Sequence, residues 1–376
     1  MENEMEFRPT KAVIDLQAIQ QNVRNLTAYL PRETAVIAVV KADGYGHGEV
    51  EVAKAAIKAG ASMVAVATPD EAVRLKEGGV TSDVLVMGPS PVLFAKKAID
   101  LGIHVTVTDA EWIRQATRVV DEFVKPLNVH VKIDTGMGRI GVRTADALQE
   151  VVQVLNSSDV VKLVGAFTHF ACADEDDSLT TKRQFDKFME LVENFPERPS
   201  IVHAANSAAT FLYPDYALDA VRFGISLYGI APSAYVGSRL PFTLQRAFCL
   251  ETELAYVKQV EKGNRISYGG TYETLEDEWI GTIPIGYADG LKRGLRGQEV
   301  LIAGERMPIV GTICMDQCMV KLPREMHVGE KVTLIGKQAD EEITMEEWAE
   351  RLGTIPYEIA VTISKRVQRV YGTTNG

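Results

Sequence analysis

The sequence predicts an α/β protein with an N-terminal (β/α)8 TIM-type barrel, followed by a mainly β C-terminal domain. Short apolar strands alternate with amphipathic helical segments through about the first 230 residues, as in a chain of βα units. Beyond residue 232 this alternation gives way to short strands separated by glycine and proline. A length of 376 residues favours two domains, which we place at residues 1–240 and 241–376.

The predicted barrel strands are rich in valine, isoleucine and alanine, which is typical of parallel strands covered on both faces. Eight βα units within roughly 210 residues favour a closed barrel over a doubly wound sheet. Residues 11–30 are expected to form a further strand and helix ahead of the barrel. This extreme N-terminal strand is a candidate for packing on the C-terminal domain. We place the eight strands at residues 35–41, 62–67, 84–88, 103–107, 129–134, 162–169, 201–204 and 220–223.

The helical segments between the strands carry apolar residues at helical spacing, as in residues 181–192, for which Ser178 or Thr180 is the expected N-cap. In the C-terminal domain one late helix is expected at residues 345–352. The strands expected there lie at residues 250–260, 279–285, 299–302, 307–310, 319–322 and 331–334.

Composition and charge narrow the class of protein. The chain is 46% hydrophobic and 24% charged, which suits a globular protein with a large core. A net charge of −11 without a long basic run disfavours nucleic-acid binding. No segment predicts a membrane span, the acidic start has no apolar signal region, and the four cysteines lack metal-ligand spacing. We therefore expect a cytoplasmic protein with reduced thiols and no metal.

Lys41 is the first candidate for chemistry. It ends the first predicted strand and precedes a loop with three glycines, residues 42–48. A lysine at the rim of a barrel is partly withdrawn from water, which lowers its pKa and makes it a nucleophile for a carbonyl group. This is the chemistry of a Schiff-base lysine.

Other polar residues follow the later strands, at the end of a barrel where active sites lie. Arg139 follows the fifth strand and His169 ends the sixth, while Ser207 follows the seventh and Arg222 lies in the eighth. The loops after strands seven and eight of a barrel often bind phosphate through backbone N–H groups and a hydroxyl. A Schiff-base lysine together with a phosphate site predicts pyridoxal 5'-phosphate as the cofactor.

Several sequence blocks resemble the bacterial alanine racemases, which are fold-type III pyridoxal-phosphate enzymes. The block at residues 38–48, AVVKADGYGHG, is similar to the cofactor-lysine signature of that family. The similarity runs in family order along most of the chain. The other blocks are residues 132–139 (KIDTGMGR), 203–207 (HAANS), 221–229 (VRFGISLYG), 266–269 (ISYG), 284–290 (PIGYADG), 311–317 (GTICMDQ) and 356–358 (PYE).

The resemblance implies a two-base racemase of L- and D-alanine that supplies peptidoglycan synthesis. It implies a homodimer in which each site lies between one barrel and the other subunit's β domain. Racemisation needs acid/base groups on opposite faces of the substrate, and the resemblance assigns these roles to Lys41 and Tyr268. It places Arg222 at the pyridine nitrogen with His169 behind it. It gives Arg139 contacts with the cofactor and the substrate carboxylate.

By the same resemblance, Met315 adds a backbone donor to the substrate carboxylate, and Lys132 matches a lysine that is often carbamylated. The cofactor's phosphate group is expected to be held by Tyr45, Ser207, Gly224, Ile225 and Tyr357.

Rival functions remain open at this point. A racemase of broader or serine-preferring specificity would keep both bases and differ in pocket volume. A decarboxylase on this fold needs an acidic residue at the pyridine nitrogen, against which Arg222 argues. A non-catalytic pyridoxal-phosphate carrier has no use for a second domain bearing Tyr268. Residues 136–141 match GxGxxG, a pattern of dinucleotide-binding sites. They follow the fifth strand of the barrel series, however, and no second half of a dinucleotide-binding fold accompanies them, which argues against such a site.

Two features concern access to the predicted site. The acidic run Asp174-Glu175-Asp176-Asp177 follows the sixth strand and is a candidate for biasing substrate entry. Some relatives carry arginine where this chain has Thr312, at the entrance, or gate, of the predicted site. The charge of the gate therefore differs here.

Overall fold

The structure is a computed structural model that describes residues 7–373. It divides into two compact units, each with its own core. One contains the residues up to Gln17, Tyr45–Gly48 and those from Arg246 onward, and the other contains Ala18–Gly44 and Glu49–Gln245. The units therefore differ from the predicted domains, 1–240 and 241–376, in two places. The residues up to Gln17 and Tyr45–Gly48 group with the C-terminal part of the chain.

The second unit is the predicted parallel barrel. Its first seven strands pair in parallel in the order of the chain, and the eighth pairs with the first. Two backbone bonds join the seventh and eighth, from Asp219 N to Val202 O at 3.1 Å and from Arg222 N to Ala205 O at 3.0 Å. We number the strands first to eighth: Ala35–Val39, Met63–Val66, Asp83–Val86, Ile103–Val107, Leu127–Lys132, Val161–Phe167, Ile201–His203 and Ala220–Phe223.

Helices lie between these strands and bury their apolar faces, as the alternating sequence pattern predicts. One cap differs from the prediction: Asp177, rather than Ser178 or Thr180, caps the helix Ser178–Val192, because its carboxylate accepts a bond from Thr180 N at 3.0 Å. The helices of this region are Leu16–Tyr29, Glu49–Lys58, Pro69–Glu77, Phe94–Leu101, Ala110–Val120, Ala145–Asn156, Ser178–Val192, Ser207–Leu212 and Ala234–Gly237.

The first unit is built on a ten-stranded sheet. The strand Lys11–Ile14 lies within it, antiparallel to Phe248–Glu253 and parallel to Gln368–Tyr371. The other strands of this unit are Tyr256–Val260, Glu278–Ile283, Glu299–Ile302, Glu305–Val310, Cys318–Leu322, Lys331–Gln338 and Glu341–Ile343, with a separate small hairpin of Arg265–Ile266 and Tyr272–Glu273.

Two features of this unit differ from the prediction. The single strand expected at residues 250–260 is two strands, because Leu254 N bonds to Glu330 O at 2.9 Å and Ala255 N bonds to Thr282 O at 2.9 Å. The chain thus changes partner strands in the middle of an unbroken apolar pattern. The expected late helix is present at Met345–Leu352, but a second helix that was not expected follows at Pro356–Thr362, and it begins at a proline, which suits a first helical position.

Candidate active site

Lys41 lies at the carboxyl end of the first barrel strand, on an unusual turn. The next three residues, Ala42, Asp43 and Gly44, have φ values of 53°, 55° and 61°, so the chain makes a left-handed turn directly after the lysine. Residues other than glycine rarely adopt this conformation. Burial lowers the pKa of the Lys41 amine, and the charge of Arg139 lowers it further. Lowering this pKa increases the neutral, nucleophilic fraction of the amine.

Glu71 holds this turn and was not singled out by the sequence analysis. Its buried carboxylate accepts hydrogen bonds from the backbone N–H groups of Ala42 at 2.7 Å and Ala67 at 2.8 Å. It also closes a capping box with Thr68 at the start of the helix Pro69–Glu77. The T-x-x-E spacing is a sequence signal for that capping box. That spacing does not predict the contact between Glu71 and Ala42.

Arg222 is buried inside the eighth strand among hydrogen-bond acceptors. Its Nη2 donates to Thr168 O at 2.7 Å and to Ala204 O at 2.9 Å, and lies 3.4 Å from His169 Nδ1. Burial lowers the pKa of Arg222 to about 9, with a further contribution from the charge of Arg139, so the guanidinium stays charged at neutral pH. Burial and Arg222 together hold the pKa of His169 well below its ordinary value, so this imidazole is neutral.

The loops after the last two strands meet at a hydroxyl. Ser207 begins the short helix Ser207–Leu212, and its Oγ accepts a bond from Gly224 N at 2.9 Å. Ile225 begins the 3₁₀ turn Ile225–Tyr228. Within residues 7–373, the buried Ser226 hydroxyl has no hydrogen-bond partner. Backbone N–H groups and hydroxyls gathered at one place are the donors that a phosphate group needs.

Lys132 stands at the end of the fifth strand and is almost wholly buried. Its Nζ donates to Ile133 O at 2.7 Å. Burial and the charge of Arg222 lower the pKa of Lys132 to about 7, with Asp134 acting against them and Arg139 with them. The exposed Arg139 thus acts electrostatically on the amines of both Lys41 and Lys132. This concentration of positive charge favours an anionic ligand.

The remaining predicted site residues lie in the other unit. The rings of Tyr45 and Tyr357 are 6.2 Å apart. Tyr268 and Met315 are exposed, at 75% and 53%. The carbonyl oxygen of Tyr268 accepts a bond from Thr312 Oγ1 at 3.0 Å, which places the predicted gate residue beside it. The structure therefore gathers the predicted residues into two sets, one in each unit.

The acidic run after the sixth strand is tied down by two bonds. Ser233 Oγ donates to Asp174 O at 2.6 Å, and Tyr235 Oη donates to Asp176 Oδ1 at 2.9 Å. With Asp177 serving as a helix cap, the run has a local structural role in addition to its negative charge.

The residues of the barrel fit pyridoxal 5'-phosphate. Lys41 supplies an amine of lowered pKa for the aldehyde, and the Ser207 hydroxyl with the Gly224 loop supplies donors for the phosphate group. Within residues 7–373, no group of three or more His, Cys, Asp or Glu is placed to hold a metal ion. The fold and these residues define a pyridoxal-phosphate-dependent enzyme of the barrel-plus-β-domain class.

Comparison with known proteins gives the family. Residues 14–232 match the family model "Alanine racemase, N-terminal domain", and residues 247–371 match "Alanine racemase, C-terminal domain". The chain belongs to the alanine racemase family and is a pyridoxal-phosphate-dependent isomerase, which confirms the predicted family, fold class and cofactor.

Individual relatives are similar over nearly their whole length. An alanine racemase of Anoxybacillus flavithermus is 47% identical over 367 residues, covering 97% of this chain and 95% of the relative. The crystal structure of alanine racemase from Bacillus anthracis with bound L-Ala-P has a TM-score of 0.95 and 43% identity, covering 99% and 97%. A histidine racemase from Leuconostoc mesenteroides subsp. sake has a TM-score of 0.92 and 30% identity, covering 98% and 99%.

Proposed function

We propose that the protein interconverts L- and D-alanine by a two-base mechanism, with Lys41 and Tyr268 as the acid/base groups. The observation that carries the proposal is Lys41, an amine of lowered pKa at the carboxyl end of a barrel strand. The alanine racemases of high identity support alanine as the substrate. When bound, pyridoxal 5'-phosphate supplies an aldehyde for an amine and a ring that withdraws electrons from the bond to be broken.

The protein's own residues hold the cofactor and the substrate in this proposal. Lys41 would hold the cofactor's aldehyde, and Arg222, backed by His169, would face the pyridine nitrogen. An arginine keeps its proton there, so the ring withdraws electrons less strongly and side reactions are restrained. Arg139 and the backbone N–H of Met315 bind the substrate carboxylate. The phosphate group is held by Tyr45, Ser207, Gly224, Ile225 and Tyr357.

Proton transfer at the substrate's α-carbon then needs one group on each face. Lys41 Nζ, once the substrate's amine has displaced it from the cofactor, would take or return the proton on one face, and Tyr268 Oη would do so on the other. The two groups exchange roles when the reaction runs from the other enantiomer.

We infer a homodimer in which the Tyr268 serving one barrel comes from the second subunit. Tyr268 and Met315 are large side chains with exposures of 75% and 53%, so both are accessible to a second subunit. The test mixes two inactive variants, Lys41→Ala and Tyr268→Phe, under conditions of subunit exchange. Shared sites give a hybrid dimer with one unmodified site, so activity returns to at most about one quarter of wild type. Sites built within single chains leave the mixture inactive and reject the proposal.

We propose that Lys132 is carbamylated. Its pKa of about 7 leaves a large neutral fraction to react with carbon dioxide at neutral pH. The product carries a negative charge, which would offset the crowding of Lys132, Arg139 and Arg222. Enzyme prepared in 13C-labelled bicarbonate should show a carbamate carbon signal that Lys132→Arg abolishes. Identical spectra for the two proteins would reject the modification.

Substrate choice needs a direct test, because a histidine racemase has a similar fold. We propose racemisation of L-alanine, L-serine and L-histidine at equal concentrations, followed by chiral chromatography, with the visible spectrum recorded beforehand. D-alanine formed much faster than the other products supports the assignment. Comparable rates favour a broad-specificity or serine-preferring racemase, and a cofactor band without any racemisation favours a carrier.

We further propose a cytoplasmic location and the supply of D-alanine to peptidoglycan synthesis. All four cysteines are free, which suits a reducing compartment. Within residues 7–373, none of the helices has the length and apolar character needed to cross a bilayer.

A further inference from the structure

Three buried histidines form a hydrogen-bonded row inside the barrel. His104 Nδ1 lies 3.2 Å from His130 Nε2, and His130 Nδ1 lies 3.2 Å from His203 Nε2. The row ends on Arg222, whose Nη1 lies 3.0 Å from His203 Nδ1. All four side chains are buried. We call His104, His130 and His203 the histidine row.

The chemistry of Arg222 gives the row one direction. A guanidinium only donates hydrogen bonds, so His203 Nδ1 accepts and the proton of His203 lies on Nε2. That proton is donated to His130 Nδ1, and in turn His130 Nε2 donates to His104 Nδ1. Each imidazole therefore carries its proton on Nε2.

The outer end of the row reaches polar groups of the barrel strands. His104 Nε2 lies 3.2 Å from Asn128 Nδ2 and 4.0 Å from Asp83 Oδ1. Because His104 Nε2 carries a proton in this direction of the row, the row requires the Asn128 amide to be turned so that Oδ1 takes the place of Nδ2, an exchange that the hydrogen-bond network decides. The row thus connects Asn128 at one end with Arg222 at the other.

All three imidazoles must be neutral for the row to exist, since a charged imidazole donates from both nitrogens. Burial lowers the pKa of His130 to about 3. Burial also lowers the pKa values of His104 and His203, and the charge of Arg222 lowers that of His203 further. Burial therefore favours the neutral imidazoles that the hydrogen bonds of the row require.

The backbone is shaped to admit the row. Pairing of the fifth and sixth strands shifts between Val129 and His130, so that His130 lies opposite Gly165. A Cβ atom at Gly165 would lie 2.3 Å from His130 Nδ1. A strand irregularity that re-aims a side chain, next to a glycine that makes space for it, is typical of a functional site.

We propose that the histidine row is a positioning device for Arg222, which it holds in one orientation through His203 Nδ1. The carbonyl groups of Thr168 and Ala204 fix the other end of the guanidinium. Arg222 is thereby ordered before a ligand binds. The inference rests on the proposed place of Arg222 at the pyridine nitrogen, since that place gives the ordering its purpose.

The first test reads the proton positions in the full-length holoenzyme. The chain has six histidines, and ¹⁵N labelling with long-range proton correlation distinguishes the two neutral tautomers. Signals are assigned by single histidine substitutions. We expect His104, His130 and His203 as neutral Nε2–H imidazoles. A different tautomer or a charged ring at pH 7.5 in any of the three would overturn the direction of the row.

The second test separates positioning from a structural role. His203→Asn keeps an acceptor close to the place of Nδ1, whereas His203→Leu removes it. In Gly165→Ala the new Cβ would lie 2.3 Å from His130 Nδ1 and 2.7 Å from the backbone Ile201 O, so it displaces His130 and presses on the seventh strand without contacting Arg222. Gly237→Ala is the matched control, because its new Cβ would meet Ala231 Cβ at 3.4 Å, an ordinary contact.

The readouts are the ¹⁵Nη signals of Arg222 and the dissociation constant of pyridoxal 5'-phosphate. Wild type, His203→Asn and Gly237→Ala should show separate, ordered Nη signals. In His203→Leu and Gly165→Ala these signals should merge, and cofactor affinity should fall about tenfold, as for the loss of one charged hydrogen bond. Ordered Arg222 signals in all variants would overturn the inference.

The two proposals can fail separately. If wild type takes up no cofactor, the proposed function is wrong, while the Arg222 signals still decide the positioning role. If wild type binds cofactor and Gly165→Ala binds it equally well, the inference is wrong and the proposed function stands.

Discussion

Glu71 Oε1 accepts a hydrogen bond from the backbone N–H of Ala42 at 2.7 Å, directly after Lys41 in the chain. Three consecutive residues of that turn are left-handed, a conformation that costs about 1 kcal/mol or more for each residue other than glycine. The carboxylate therefore stabilises a costly backbone. Its charge also raises the pKa of Lys41, against the opposite effects of burial and Arg139. One residue thus serves both the position and the protonation of the lysine.

Glu71→Gln should weaken the turn. The carboxylate accepts from Ala42 N with one oxygen and from Ala67 N with the other. A glutamine has only one side-chain oxygen, and its NH2 group would face one of these N–H donors. We therefore expect a loss of about 1–3 kcal/mol in the free energy of unfolding. Without the carboxylate charge, the pKa of Lys41 should fall further. The measurements are urea unfolding and, for the enzyme freed of cofactor, the pH dependence of the rate at which it takes up pyridoxal 5'-phosphate. Glu77→Gln, an exposed position on the same helix, is the control and should change neither.

Tyr268→Phe should retain the visible band of the bound cofactor and lose racemisation, because only the phenolic oxygen is removed. Proton abstraction from L-alanine should suffer most, and solvent deuterium exchange from each enantiomer measures it. Tyr256→Phe makes the same change at another exposed tyrosine of the same unit, 57% exposed, and should behave as wild type. Full activity of Tyr268→Phe in both directions would disprove the two-base assignment.

Lys41→Ala should lose the cofactor's visible band as well as activity, because no amine remains to hold the aldehyde. Spectra recorded after adding pyridoxal 5'-phosphate, followed by dialysis, measure the loss. Lys54→Ala is the control, since Lys54 lies on the surface with Glu51 as its partner at 3.0 Å. A stable band in Lys41→Ala would move the cofactor attachment to another lysine.

Acid should destabilise the protein through its buried histidines. The pKa of His130 is about 3 in the folded state against an ordinary value of 6.5, so the unfolded state binds more protons between these values. Stability is then fully present above pH 6.5 and falls as the pH drops from 6.5 toward 3. His104, His169 and His203 shift in the same direction.

Each such histidine contributes a slope of at most about 1.4 kcal/mol per pH unit in that window. Urea unfolding at pH 7.5, 6.5 and 5.5 measures the total. His130→Gln should reduce the slope even though it lowers stability at pH 7.5. His327→Gln, at an exposed position, should leave the slope unchanged. An equal slope in wild type and His130→Gln would contradict the prediction.

Local patterns predicted much of the fold. The strands Ile103–Val107, Ala220–Phe223 and Glu299–Ile302 and the helix Met345–Leu352 have the predicted limits, because their apolar periodicity ends where turn residues begin. The predicted strand at residues 250–260 failed for a reason invisible to periodicity. At Leu254 the chain exchanges one partner strand for another while its apolar pattern continues.

By itself, the sequence determined the class of chemistry and the family, because a lysine before a glycine-rich loop and ordered motif blocks are local features. Only the tertiary structure decided which distant side chains meet. His130 and His203 are 73 residues apart in the chain, and Glu71 and Ala42 are 29 apart. Such contacts depend on barrel closure, on a shift in strand pairing and on the space beside Gly165. None of these is encoded in a local pattern, since each arises from the packing of separate strands.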